Sequence, residues 1–296
     1  MPIVFQIAQI MFPLVAIVSI GVIVGIRQSP QLDTINNINL NVFIPALVFA
    51  SLIQQQFAFK GFALLGLSGF ILVLLTAIVA IPVAKLFAAN YRTVAPPLMF
   101  HNAGNIGLPL MSLALGPEGL AAALILFLVG NITHFGLGSY MLDHDAKWLR
   151  SLTSPAILAA VLALALQSQH IVIPDFVILP IDMLGSIAVP LMLFSLGVQL
   201  SNANYDYWKL GLLVGIATPI IGVLLAFIIS SIVSLNNIQL ASLILFGALP
   251  PAVMNFLFAK KYQQEPTKVS AIVLVGNVIG IVSLPLALWF VLPRFT

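Results

Sequence analysis

Of the chain's 296 residues, 61% are hydrophobic and only 6% are charged, where soluble domains carry about 25% charged residues. A formal net charge of +3 without a basic patch gives no footing for nucleic acid, and with no Cys there are no disulfides, thiolate chemistry or Cys metal sites. The composition predicts an all-α integral membrane protein in the lipid bilayer, with room for about ten transmembrane helices of ~20 residues and none for a separate soluble domain.

Hydropathy and its interruptions place the spans in order. The first runs from about Val4 to Ile26, closed by Arg27 and Pro30. It is too long for a signal-peptide core and has no basic residue ahead of it. The second is Ile38–Phe57 with Pro45 inside, and the third is Gly61–Ala88.

The fourth, Val94–Leu115, contains His101-Asn-Ala-Gly-Asn-Ile-Gly-Leu-Pro-Leu110. Pro109 lacks a donor, and its ring opposes the carbonyl of Asn105. Gly104 and Gly107 ease unwinding. The amides of Asn102 and Asn105 demand partners in hydrocarbon. A packing interface alone does not ask for two Asn; this is a break in the helix, and such a break is a pointer to a transporter's binding site.

Gly116-Pro117-Glu118 turns into the fifth span, Gly119–Leu142, and a polar loop follows to Arg150. The remaining spans are Ser151–Gln167, Phe176–Leu200 with Pro190 inside, Tyr207–Ser234, Ile238–Tyr262 interrupted by Pro250-Pro251, and Thr267–Leu292.

On this map nine Lys and Arg fall on one side: Arg27, Lys85, Arg92, Lys147, Arg150, Lys209, Lys260, Lys261 and Lys268. Only Lys60 and Arg294 fall on the other. Positive loops stay cytoplasmic, so both termini are expected outside the cytoplasm and residues 143–150 inside.

The halves resemble each other. Leu128-Val-Gly-Asn131 recurs as Leu274-Val-Gly-Asn277, and the same shift lays Phe100 on Phe246 and Asn105 on Pro251. A shift one residue smaller lays Pro45 on Pro190 and Phe49 on Phe194. With five spans each, residues 1–142 and 151–296 enter the membrane from opposite sides, an inverted 5+5 repeat. The two broken helices, fourth and ninth, are then expected to cross at the midplane, where helix N-termini offer free N–H groups and partial positive charge.

Asn102-Ala-Gly-Asn-Ile-Gly-Leu-Pro109, Leu249-Pro-Pro-Ala252, Phe258-Ala-Lys-Lys-Tyr262 and the Pro45 and Pro190 spans resemble the auxin efflux carrier family in its short-loop bacterial form, within the superfamily that also holds the bile-acid symporters. The resemblance covers the whole chain. It implies a homodimer. Each protomer would have a scaffold of residues 1–58 and 151–204, and an elevator-like transport domain of residues 59–142 and 205–296. Bacterial relatives of this kind are known for malonate, malate and similar carboxylates. Asn102, Asn105, Pro109, Pro250 and Pro251 would form the crossover that holds a small organic anion. The second break has Pro251 where the first has Asn105, and Asn255 is its nearest amide.

Asn105 is the leading substrate ligand, with Asn102 next; either could donate to a carboxylate, or only cap the broken ends. Gly104, Gly107, Pro109, Pro250 and Pro251 shape the break. His101 and His134 suit proton coupling, or are neutral packing residues. Asn131 and Asn277 bind substrate or join helices. Gln54 and Gln199 read as interfacial. All eight acids, Asp33, Glu118, Asp143, Asp145, Asp175, Asp182, Asp206 and Glu265, fall in loops or near span ends, which favours an anionic substrate over a cation carrier that needs an intramembrane carboxylate. Asp143-His144-Asp145 reads as a solvated loop, so no metal site and no cofactor are expected, apart from possible coupling by H+ or Na+. The expectation is a non-enzymatic secondary carrier in the cell (inner) membrane. The rivals are a cation-coupled bile-acid-type symporter, a lipid or prenyl enzyme, and a non-transporting sensor.

Overall fold

The computed structural model describes residues 2–54, 59–143, 153–201 and 206–295. Among these the secondary structure is helical, without a strand longer than an isolated bridge. In chain order the helices are α1 (Ile3–Gln28), α2 (Asp33–Ile38), α3 (Ile44–Gln54), α4 (Phe59–Leu86), α5 (Tyr91–Met99), α6 (Leu108–Thr133), α7 (Ser139–Leu142), α8 (Pro155–Ser168), α9 (Asp175–Ser201), α10 (Trp208–Ser230), α11 (Asn237–Ala248), α12 (Met254–Lys261) and α13 (Pro266–Phe295). Three π-helical segments, Asn39–Phe43, Ala103–Gly107 and His134–Gly138, are inserted where α2 meets α3, before α6 and before α7.

Seven helices among the described residues are long and apolar enough to cross a membrane, and Pro155–Ser168 and Asn237–Ala248 are shorter apolar helices. One of the seven, Ala103–Leu142, spans 40 residues. Drawn straight it would be ~60 Å long, about twice a bilayer core. It is not straight. Gly116 stands at φ 67°, ψ −157°, and a Cβ at Gly119 would lie 2.6 Å from the carbonyl oxygen of Met111. In a straight helix those residues are ~12 Å apart along the axis, so the chain doubles back at Gly116-Pro117-Glu118.

The outer surface is apolar: Phe12, Ile78, Val161, Ile281 and Trp289 are all exposed. Water-soluble monomers rarely present contiguous apolar faces, whereas lipid accepts them. Lipid also removes the hydrophobic drive between helices, so close backbone approach has to supply the packing. The α1–α9 contact does this. A Cβ at Gly21 would lie 2.2 Å from the Phe194 carbonyl oxygen, and one at Gly197 would lie 2.0 Å from that of Val18.

Helices α1, α3, α8 and α9 pack on one another, and α4, α5, α6, α10, α11 and α13 do likewise. The two groups meet where α9 touches the π segment Ala103–Gly107 and where α1 touches α6 and α13. A polar clasp ties the beginning of α5 to that of α13: Thr93 Oγ1 and Lys268 Nζ both donate to the Glu265 carboxylate. Of the acids expected near span ends, Asp33 and Asp175 open helices and Asp206 and Glu265 precede them, while Asp182 lies two turns inside α9 on its exposed face. His144, Asp145, Lys147 and Arg150 of the polar loop lie outside the described residues.

Candidate functional site

The two interrupted stretches meet. Helix α5 ends at Met99 and α11 at Ala248, each leading into extended backbone at Phe100 (φ −108°, ψ 100°) and Leu249 (φ −64°, ψ 147°). Leu249 is extended because a residue before proline is driven out of the helical region. His101 and Pro251 form an antiparallel bridge. The Asn102 N–H donates to the Pro250 carbonyl at 2.7 Å, and the Ala252 N–H donates to that of Phe100 at 2.8 Å. Asn102 itself stands at φ −77°, ψ 57°, an inverse γ-turn, and the Ala103 N–H accordingly donates to the His101 carbonyl at 2.8 Å. The chain then re-enters helix through the π segment, in which the N–H groups of Ile106 and Gly107 both donate to the Asn102 carbonyl. Pro109 falls at the very start of α6, where a missing donor costs little.

Side chains fasten the bridge. Asn102 Nδ2 donates to Asn277 Oδ1 on α13 at 2.9 Å. Asn277 Nδ2 donates to the carbonyls of Pro251 (3.0 Å) and Val273 (2.7 Å). Asn255 Nδ2 donates to the carbonyls of Phe100 (3.0 Å) and Ala252 (2.9 Å). Polar backbone enclosed within a protein needs hydrogen-bond partners there, and these two amides supply them. Leu98, Met99, Leu108, Leu110, Phe246 and Leu249, which flank the two breaks in sequence, are all fully or nearly fully buried.

Polar groups without partners also collect here. Both ring nitrogens of His101 and the Oδ1 of Asn255 are buried without a hydrogen bond among the described residues. The His101 ring is tilted against Phe246 at 5.2 Å. The backbone N–H groups of Gly104 and Asn105, and of Val253 and Met254, find no carbonyl among the described residues. They open the helices that follow each break, where partial positive charge concentrates. The Asn105 amide is half-buried and makes no side-chain hydrogen bond to a described residue.

The structure thus joins His101, Asn102, Pro250, Pro251, Asn255 and Asn277 through direct contacts, with Gly104 and Asn105 in the adjoining π segment. A Cβ at Gly107 would lie 2.9 Å from Leu249 Cδ1, so Gly107 packs on the second break. Asn131 sits on α6 one turn past Phe127, which abuts Gly104; it is half-buried and has no hydrogen bond in common with the bridge. His134 stacks on Phe100 at 4.1 Å and meets Phe258 edge-on at 4.5 Å. Asn255 is the residue whose part in the bridge sequence reasoning saw least of. Its only cue was its place four residues after Pro251.

An all-helical membrane protein with two extended breaks bonded to each other, lined by amides and free N–H groups, is built as a membrane transport protein. Residues 144–288 match the model of the family described as membrane transport protein. The match includes Pro250, Pro251, Asn255 and Asn277. The chain is also 23% identical to an uncharacterized transporter of Methanocaldococcus jannaschii, over 90% of this chain and 91% of the relative. It is 26% identical to an uncharacterized transporter of Methanothermobacter thermautotrophicus, over 89% and 90%.

Proposed function

We propose that the protein is a secondary carrier of a small organic anion, probed from each side of the membrane in turn by alternating access around the paired breaks. The observation that carries this reading is the bonding of residues 100–102 to residues 250–252, after which the N–H groups of Gly104 and Asn105 on one leg and of Val253 and Met254 on the other find no carbonyl among the described residues. Such a set attracts a carboxylate without a fixed positive charge. Asn105 and Asn102 are the ligands, and His101, Asn131, Asn255 and Asn277 complete or brace the site.

An inverted 5+5 repeat fits the same geometry. Asn90 and Asn236, 146 residues apart, cap the two helices that lead into the breaks, which is the offset that also relates Asn131 to Asn277. The separate packing of α1, α3, α8 and α9 supports an elevator in which this group is the scaffold. The homodimer, the inner-membrane location and the non-cytoplasmic termini belong to the same reading, as does coupling to H+ or Na+.

The test is uptake of labelled carboxylates into proteoliposomes with membrane potential, pH gradient and sodium imposed separately. Saturable uptake of one acid supports the carrier and identifies its driving force. Absence of carboxylate flux under every gradient, from folded protein, rejects it.

A further inference from the structure

Helix α9 carries two oxygens that its own backbone does not use. Ser168, Ser186 and Ser201 return their hydroxyls to helix carbonyls at 2.7–2.8 Å, as Ser in a helix ordinarily does. Ser195 does not: its Oγ is buried and has no partner among the described residues, and the same holds for Gln199 Oε1. The Ser195 residue is only 3% exposed.

Their position gives these oxygens meaning. Ala188, Met192, Ser195 and Gln199 follow an i, i+4, i+7, i+11 spacing and so form one stripe on α9. Met192 locates that stripe. Its Sδ would lie 3.6 Å from a Cβ at Gly104, and α9 packs on the π segment that holds Gly104 and Asn105. The stripe therefore faces the first break, with Ser195 and Gln199 one and two turns beyond the contact.

From this we infer that Ser195 and Gln199 are the second pole of the substrate site, selecting a small carboxylate that bears an O–H or N–H donor at its other end. The inference rests on the anion-carrier reading above. The N–H groups and amide at residues 104–105 take the carboxylate. Gln199 Oε1 is an acceptor only, and Ser195 Oγ can accept as well as donate, so the pair asks for a donor from the ligand. An acid lacking that donor leaves two buried oxygens unpaired, and sites built around such a hydrogen bond discriminate strongly against the analogue without it.

The test measures uptake of labelled 4-hydroxybutyrate and butyrate, and of 3-hydroxypropionate and propionate, in parallel in proteoliposomes. The wild-type protein is expected to favour the hydroxy acid of each pair about tenfold, the worth of one hydrogen bond to a buried group. In Ser195→Ala and Gln199→Leu that ratio is expected to fall toward one, and Ser195→Thr, which keeps the hydroxyl, restores it. Flux of both acids of a pair without preference, or an unchanged ratio in both variants, overturns this inference alone. A sodium requirement lost in Ser195→Ala with the acid ratio unchanged makes the pair a cation site and overturns it too. No flux of any of the four acids from folded protein removes the anion-carrier reading and this inference with it.

Discussion

Asn102 and Asn277 share a hydrogen bond of 2.9 Å across 175 residues of sequence, and it is the side-chain link between the first break and α13. Because both amides are buried, removing either leaves the other unpaired at about 1–3 kcal/mol. Asn102→Ala and Asn277→Ala are each expected to lower thermal stability in detergent. The double variant is expected to cost less than the sum, with a coupling of ~1 kcal/mol. Additive losses would show that the bond contributes nothing of its own.

Asn105 should behave in the opposite way. Its amide is half-buried and makes no side-chain hydrogen bond to a described residue, so Asn105→Ala is expected to change stability by no more than about 0.5 kcal/mol, as at uncoupled positions. Transport is expected to be lost. Uptake assays on variant protein of matched melting temperature decide this, and normal uptake would take Asn105 out of the site.

Gly116 offers a test of the backbone alone. Its φ of 67° with ψ of −157° belongs to a region that is nearly glycine-only, yet nothing lies within 4 Å of where a Cβ would stand. Gly116→Ala therefore introduces strain without a clash, about 1–3 kcal/mol. A thermal melt that does not move would mean the turn is not held in this conformation.

The clasp at Glu265 is expected to depend on pH. Hydrogen bonds from Lys268, then from Thr93, hold this carboxyl below the usual carboxylate range. A depressed folded-state value contributes stability above the unfolded carboxylate value and loses it as pH falls through the folded one. Because the group is partly exposed the effect is small, about 0.5 kcal/mol. Melts of wild type and Glu265→Gln are expected to differ at neutral pH and converge in acid; a constant difference would assign the effect to packing.

Much of the architecture was legible in the sequence, because hydropathy reports each helix separately and Pro, Gly and Asn mark local interruptions. The turn at Gly116 and the interruptions near Asn102 and Pro250 are of that kind. What the sequence did not disclose is long-range or conformational. The second span was expected to begin at Ile38, but helix starts at Asp33 and passes through a π segment, since Asn36, Asn37, Asn39 and Asn41 lower hydropathy without preventing helix. Asn277 could bind substrate or join helices on sequence grounds; it bonds to Asn102, and only folding brings them together. Thr93 and Glu265 meet across 172 residues with no local pattern to announce it. Ser195 looks like any hydroxyl in an apolar span until its hydrogen bonds are traced.

The bridge at His101 and Pro251 cannot lengthen. An antiparallel pair of this span ordinarily exchanges two bonds at each flanking position, yet here each flank has one. Pro250 has no N–H to return to Asn102, and the Phe100 N–H is already committed to Pro96. The carbonyls that a longer ladder would recruit, those of Asn102 and Ala252, are taken by the helices that follow them. The two legs are pinned at a point rather than seamed along a line, and neither offers an open edge on which a further strand could nucleate.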